Sequence, residues 1–277
     1  MSLHPDRPPA GIGVFDSGIG GLTVFQALRE ALPAAETLVY LGDTARVPYG
    51  TKSDETVIRY ALEGARFLKR RGIKTLVIAC NTMSAVALPA LQREAALPVV
   101  GVIGPGAEAA CRVTRRKAIG VIGTAATIKS GAYARAIATH LPDARVVSRP
   151  CPLFVPLAEE GWVDNDVARA TATAYLGDLK HEGIDTLVLG CTHYPLLERV
   201  IGEAVGPGVT LVDSARATAK VVRARLEERG LLVAGAGPGA EGGDHFYVTD
   251  SSERFREVGS RFLGGPIARL EQIDIQG

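Results

Sequence analysis

Short apolar runs alternate with longer amphipathic stretches along most of the chain. Eight apolar runs predict strands, at residues 12–15, 37–41, 75–79, 99–103, 118–122, 145–148, 186–189 and 209–212. Five amphipathic stretches predict helices between them, at residues 21–32, 53–71, 128–140, 166–181 and 195–205. The apolar runs are continuous rather than alternating, as in strands that are covered on both faces. The pattern predicts an α/β fold with mainly parallel sheets and right-handed crossovers.

The pattern changes towards the C-terminus. Residues 216–229 predict a helix, and the Gly- and Ala-rich segment 230–243 predicts a flexible connection. Residues 245–248 predict a short strand. The sequence 250–253, Asp-Ser-Ser-Glu, has the form of a capping box and predicts the start of a final helix.

One segment of the chain repeats at an offset of 111 residues. Residues 68–80 read LKRRGIKTLVIAC, and residues 179–191 read LKHEGIDTLVLGC. Both copies finish on a cysteine, Cys80 or Cys191, at the carboxyl end of a predicted strand, where α/β folds build their sites. The repeat predicts two pseudo-symmetric α/β units, each of which presents one functional cysteine.

Two thiols that face one cleft suit the removal and return of a proton on opposite faces of one carbon. Each cysteine lies where a strand meets a helix, so helix amides and the helix dipole are expected to favour the thiolate. Polar side chains at the strand ends are candidate donors to a substrate carboxylate, where negative charge develops. These candidates are Ser17, Asn81, Thr82, Thr124 and Thr192.

Acid–base partners for both thiols can also be named from the sequence. Asp16 ends the first predicted strand, which is expected beside the third, so we expect Asp16 near Cys80. His193 lies two residues after Cys191. Glu159 and Glu160, which precede His193 in what we expect to be a separate loop, are the candidate carboxylates.

Composition excludes several classes of protein. The 277 residues contain 31 Lys and Arg and 30 Asp and Glu, so a dedicated nucleic-acid binder with a basic footprint is not expected. No run of 18 apolar residues predicts a membrane span, and residues 1–10 lack the apolar core of a signal peptide. The four cysteines form no C-x-x-C pair, which favours a reducing, cytoplasmic compartment.

The chain resembles the bacterial glutamate racemases of the cofactor-independent, two-cysteine type. The resemblance covers about residues 11–215 and rests on five motifs: IGVFDSGIGGL at 12–22, GDTARVPYG at 42–50, ACNT at 79–82, PLFVPLAEEG at 152–161 and GCTHYPL at 190–196. It implies conversion of L-glutamate to D-glutamate for peptidoglycan synthesis, without pyridoxal phosphate or a metal. It also implies a homodimer.

The resemblance assigns roles to individual residues. Cys80 and Cys191 match the two catalytic acid–base cysteines, Asp16 matches the carboxylate that assists the first, and Glu159 and His193 match the residues that assist the second. The positions that match substrate-binding residues are Asp16, Ser17, Tyr49, Gly50, Asn81, Thr82, Thr192 and His193. It also implies that a second α/β domain, residues 104–214, is inserted into a first domain of residues 11–103 and 215–277, with residues 1–10 as a tail.

Other functions remain open at this stage. An aspartate or hydantoin racemase would share the fold, although the DSGIGG and CTHYP strings favour glutamate. A thiol redox protein would need the two cysteine α-carbons within ~7 Å, and a binding protein for an acidic metabolite would need no acid–base pair. The Gly-rich turn at 18–21 lacks nucleotide-binding spacing, and the cysteines lack zinc-site spacing. Cys111 and Cys151 are expected to be small buried apolar residues.

Overall fold

Two parallel sheets organise the part of the chain that the computed structural model describes, residues 11–233 and 243–275. The larger sheet contains β1 (Gly11–Asp16), β2 (Leu38–Gly42), β3 (Ile73–Ile78), β4 (Val99–Gly101), β9 (His245–Val248) and β10 (Leu270–Gln272), in the order β10-β9-β2-β1-β3-β4. The smaller sheet contains β5 (Ala118–Gly123), β6 (Arg145–Pro150), β7 (Thr186–Gly190) and β8 (Thr210–Asp213), in the order β6-β5-β7-β8. All strand pairs are parallel, which confirms the predicted fold class.

Helices follow most of the strands and cover the sheets. They are α1 (Leu22–Ala31), α2 (Asp54–Arg70), α3 (Asn81–Val86), α4 (Leu88–Glu94), α5 (Ile103–Val113), α6 (Ala125–Lys129), α7 (Ala132–His140), α8 (Phe154–Glu159), α9 (Asp166–Leu176), α10 (Glu198–Val205), α11 (Ser214–Glu228) and α12 (Ser252–Leu263). Short 3₁₀ turns occupy Thr44–Arg46, Tyr49–Thr51, Leu179–Glu182 and Tyr194–Leu197. None of the described helices is long and apolar enough to cross a membrane.

The internal repeat corresponds to a repeat of topology. In the larger sheet the first four strands lie in the order second, first, third, fourth, and the four strands of the smaller sheet lie in the same relative order. The chain then returns through α11, where Arg223 donates to the carbonyl of Ala31 at the end of α1, and β9 and β10 join the larger sheet. The exact domain boundaries remain a prediction, and residues 1–10 and 234–242 lie outside the described residues.

The nine strands expected from the sequence are all present, whereas several helices differ from expectation. The stretch 128–140 is two helices, because the chain turns at Gly131, whose φ of +64° is left-handed. Residues 166–181 and 195–205 each contain a short 3₁₀ turn beside a shorter α-helix. Strand β10 and helices α3, α4, α5 and α8 were not predicted as elements.

The expected capping box before α12 is wrong. Ser251 lies in the left-handed region, with a φ of +54°, and its side chain accepts no capping hydrogen bond. Asp250 instead accepts the backbone N–H of Ser251 at 2.7 Å, and its own backbone N–H bonds to Thr44. The turn at residues 250–251 is therefore held by a contact with Thr44, 206 residues earlier in the sequence. The local spacing of residues does not show such a contact.

Close packing around β1 makes a specific prediction about stability. Gly64 in α2 is buried, and an added Cβ would lie 2.2 Å from the ring of the fully buried Phe15. Overpacking costs roughly 1–3 kcal/mol, which exceeds the gain of about 1 kcal/mol that alanine offers in a helix. We expect Gly64→Ala to lower the free energy of unfolding by up to about 2 kcal/mol in urea titrations, the difference between these two effects.

Gly104→Ala is the matched control, because Gly104 in α5 is exposed and an added Cβ there meets nothing within 4 Å. Its stability should be unchanged or slightly higher. An equal effect of both substitutions would contradict the packing argument.

Candidate active site

Cys80 and Cys191 occupy equivalent places in the two sheets. Cys80 follows β3, the strand beside β1, and Cys191 follows β7, the strand beside β5. Both cysteines line one cleft of about 320 Å³ between the sheets. Both cysteines therefore line one cavity, whose size is typical of small-molecule sites.

The first thiol lies in a dry environment beside a carboxylate. Ser17 donates its hydroxyl to Cys80 Sγ at 3.5 Å, and the backbone N–H of Met83 in α3 donates to the same sulfur at 3.5 Å. Burial, and next the negative charge of Asp16, raise the pKa of the Cys80 thiol to about 12. The expectation that the helix start would favour the thiolate is therefore wrong for Cys80, because desolvation outweighs the amide contact.

Asp16 lies at the end of β1 and is almost completely buried. Its Oδ2 accepts the backbone N–H of Gly18 at 2.9 Å, while Oδ1 has no hydrogen-bond partner among the described residues. Burial raises the pKa of Asp16. A carboxyl group in this state is suited to holding a proton near Cys80.

The second thiol has a different partner. His193 Nδ1 lies 3.8 Å from Cys191 Sγ, and His193 Nε2 lies 3.0 Å from Glu159 Oε1. Burial opposes the charge on His193, but the hydrogen bonds to Cys191 and Glu159 raise its pKa to about 10. For Glu159 burial acts to raise the pKa, yet the hydrogen bond to His193 leaves it lowered. The imidazolium–carboxylate pair thus places a positive charge beside Cys191 at neutral pH.

The structure separates the two neighbouring glutamates. Glu159 points to His193 from the end of α8, a helix rather than the expected loop. Arg254 of α12 lies 3.3 Å from Glu160 Oε1 and 3.5 Å from Glu159 Oε2, so it contacts both carboxylates. Among the described residues, Glu159 is the carboxylate that bonds to the imidazole of His193.

Hydroxyl groups from both sheets meet at the cleft. Thr82 Oγ1 lies 2.9 Å from Thr124 Oγ1 and 3.3 Å from Thr127 Oγ1, and the latter two lie 2.9 Å apart. Thr127 was missed from the sequence, although its spacing of three from the capping Thr124, which accepts its N–H, was a usable signal. The cluster joins the start of α3 to the start of α6.

Tyr49 and Gly50 line the cleft on a 3₁₀ turn. The Tyr49 hydroxyl donates to the fully buried Asp43, which also accepts Arg46 Nε at 2.7 Å and Thr249 Oγ1 at 3.0 Å. Asp43 therefore lies behind Tyr49 and fixes it. Asp43 is not part of the cleft lining, and its side chain does not cap the 3₁₀ turn.

Thr192 is held against the Gly-rich turn of the larger sheet. The Thr23 hydroxyl of α1 donates to the Thr192 carbonyl at 2.9 Å. A Cβ on Gly20 would lie 2.3 Å from Thr192 Oγ1 and 2.4 Å from the His193 ring, so only glycine fits there. The glycine-rich motif thus serves close packing across the cleft.

The remaining cysteines lie outside the cleft lining. Cys151 is buried after β6, as expected, whereas Cys111 on α5 is only half-buried. All four cysteines are free thiols. In residues 11–233 and 243–275 no three His, Cys, Asp or Glu side chains are grouped so that they could hold a metal ion.

Comparisons with known proteins agree with this geometry. The family model described as Asp/Glu/Hydantoin racemase matches residues 12–222. A glutamate racemase of Geobacter metallireducens is 56% identical over 97% of this chain and 98% of its own length. The crystal structure of a glutamate racemase isoform from Bacillus anthracis superposes with a TM-score of 0.92 at 39% identity, covering 97% of this chain and 99% of that one. A glutamate racemase from Francisella tularensis, solved in complex with D-glutamate, has a TM-score of 0.89 at 40% identity, with coverage of 97% and 99%.

The pair formed by His193 and Glu159 makes a testable prediction. In Glu159→Gln the carboxylate charge is lost, so the pKa of His193 should fall from about 10 towards its ordinary value. The imidazolium would then lose its proton at a lower pH. Titration of ¹⁵N-labelled histidine by NMR measures this directly in a chain with five histidines.

Glu160→Gln is the matched control, since Glu160 bonds to Arg254 rather than to His193. This substitution should leave the pKa of His193 unchanged. Equal shifts in the two variants would show that general surface charge, and not the hydrogen bond, sets the pKa.

Proposed function

The chain belongs to the Asp/Glu/hydantoin racemase family, and we propose that it interconverts L-glutamate and D-glutamate. The observation that carries the proposal is the presence of two free cysteines, from equivalent strand ends, in one cleft between two sheets. The near full-length identity to glutamate racemases supports glutamate as the substrate. A pure binding protein would have no use for two acid–base groups.

The proposed reaction moves one proton at the α-carbon. A thiolate on one face takes the α-proton, and the electron pair that is left delocalises into the substrate carboxylate. The opposite thiol then gives a proton to the other face of the same carbon and becomes a thiolate. Bonds and charges balance, because one S–H bond forms and one breaks for each inversion.

Resting protonation gives Cys80 its starting role. Cys80 keeps its proton at neutral pH, since the pKa of its thiol is about 12. Cys191 lies 3.8 Å from His193 Nδ1 on the other side of the proposed reaction. We therefore assign Cys80 as a proton donor at rest, with Asp16 able to exchange a proton with it.

Donors around the cleft would stabilise the charge that develops on the substrate carboxylate. Ser17, Asn81, Thr82, Thr124 and Thr192 supply hydroxyl and amide groups, and Tyr49 and Gly50 complete the lining. In a cleft that excludes water these contacts are stronger than in bulk solvent. We propose that all of these residues bind the substrate, together with Asp16 and His193.

Exchange with deuterated water tests the two-thiol reaction. Wild-type protein with L-glutamate in D₂O, without added cofactor, should lose its circular dichroism signal as one deuterium enters the α-carbon. Cys80→Ser and Cys191→Ser should each lower the racemisation rate by at least ~10²–10⁴-fold, because serine is a far weaker acid–base group. Polarimetry followed by mass analysis gives both quantities.

Cys111→Ser is the control, because Cys111 lies on α5 outside the cleft lining. It should keep the wild-type rate. Full activity in Cys80→Ser or Cys191→Ser would reject the two-thiol mechanism. Activity on another amino acid, with none on glutamate, would keep the chemistry and reject the substrate.

We also propose that the protein acts as a homodimer in the cytoplasm and supplies D-glutamate for peptidoglycan. The family resemblance and the lack of C-x-x-C pairs in the sequence support this assignment. Light scattering should give about twice the chain mass of 29.1 kDa. A monomer at working concentrations would reject the dimer, and growth of a deletion strain without added D-glutamate would reject the cellular role.

A further inference from the structure

Tyr133 lies behind the cleft and contacts the neighbours of both catalytic thiols. It is buried on α7 of the smaller-sheet unit and is not part of the cleft lining. Its hydroxyl donates to Asn81 Oδ1 at 2.7 Å, and Asn81 is the residue after Cys80. Its ring lies so close to Gly190, the residue before Cys191, that an added Cβ there would be 2.9 Å from Cε2.

The two polar atoms of the Asn81 side-chain amide differ in their hydrogen bonding. Its Oδ1 is bonded to Tyr133, whereas its buried Nδ2 has no hydrogen-bond partner among the described residues. An unsatisfied buried donor is costly, and a ligand oxygen that accepts from it recovers that cost. Asn81 lines the cleft, while Nδ2 itself is buried beneath the cleft surface, so a bound anion would reach this donor once the side chain moves slightly outward.

The direction of the Asn81 amide depends on Tyr133. If the amide were turned over, Oδ1 would face the cleft and would repel a carboxylate rather than bind it. Burial raises the pKa of Tyr133, so its hydroxyl keeps its proton and can donate. In the structure it donates to Oδ1, and this arrangement leaves Nδ2 as the group without a partner among the described residues.

The Tyr133 ring is closely packed on two sides. An added Cβ on Gly106 of α5 would lie 3.3 Å from the Tyr133 hydroxyl, so glycines on two elements leave room for this ring. The ring cannot turn away without moving backbone that adjoins Cys191. A hydroxyl held in this way can hold the side chain of Asn81, from the other sheet, in one orientation.

We propose that Tyr133 is a positioning residue, which orients the Asn81 amide so that Nδ2 donates to a carboxylate of the substrate. This inference rests on the proposed function for the identity of the anion. Tyr133 does not touch the substrate. Its effect passes through Asn81.

Tyr133→Phe removes only the hydroxyl and keeps the ring that packs against Gly190. We expect KM for glutamate to rise ~10-fold or more, the loss associated with one hydrogen bond to a charged group, while kcat changes little. In an Asn81→Ala background the same substitution should add almost nothing to KM. Tyr247→Phe is the control, because Tyr247 lies on β9, packs against Phe67 of α2 and is not part of the cleft lining. This substitution should leave KM unchanged.

A second measurement follows the Asn81 side chain itself. The chain contains two asparagines, so selective ¹⁵N labelling yields two side-chain amide signals, from Asn81 and from Asn165, which caps α9. In ligand-free Tyr133→Phe the Asn81 pair should shift or broaden while the Asn165 pair stays. Urea unfolding of each variant shows whether it remains folded.

Three results would overturn the inference: unchanged Asn81 resonances, an unchanged KM in an active variant, or an undiminished effect in the Asn81→Ala background. If wild-type protein fails to racemise glutamate, the proposed function falls. The amide signals still decide whether Tyr133 sets the orientation of Asn81.

Discussion

Parallel pairing of each cysteine-bearing strand with its neighbour is the constraint on which the site depends. Pairing of β3 with β1 brings Cys80 to the same sheet edge as Asp16 and Ser17. Pairing of β7 with β5 brings Cys191 to the same edge as Thr124. Because parallel strands all end at one edge, each sheet presents a thiol with polar neighbours, and the cleft forms where the two edges meet.

Burial of the ionisable groups sets the electrostatics of this site. Burial raises the pKa of both Asp16 and Cys80, and the charge of Asp16 raises that of Cys80 further, so protons stay near the first thiol. Around Cys191 the charge of His193 is compensated by Glu159 at 3.0 Å. The two units therefore share a backbone plan but hold their thiols in opposite electrostatic surroundings.

The sequence predicted the strands, and the position of Cys80 and Cys191 at equivalent strand ends, because both leave a local pattern. The repeat at Cys80 and Cys191 records the shared backbone plan, and continuous apolar runs record strands buried on both faces. Contacts between distant segments leave no such pattern. The turn at Ser251, the break at Gly131 and the short β10 depend on tertiary contacts or backbone geometry, and local spacing did not reveal them.

The site showed the same division between local and distant information. Motifs placed Glu159 and His193 correctly near each other in the fold, but the direction of the shift in the pKa of Cys80 was missed. That direction follows from burial, which is a property of the assembled cleft. Tyr133 was missed for a related reason, since its hydroxyl bonds to Asn81, a residue far away in sequence.

The unequal surroundings of the two thiols are compatible with a reaction between mirror images. The enantiomers of glutamate have equal free energy in solution, so the equilibrium constant is one and kcat/KM must be the same in both directions. A difference between the environments of Cys80 and Cys191 can therefore appear only as compensating changes in kcat and KM. It follows that a substitution beside either thiol changes kcat/KM equally for both enantiomers. The values of kcat at saturating L-glutamate and at saturating D-glutamate can differ, and that difference shows which thiol the substitution has affected.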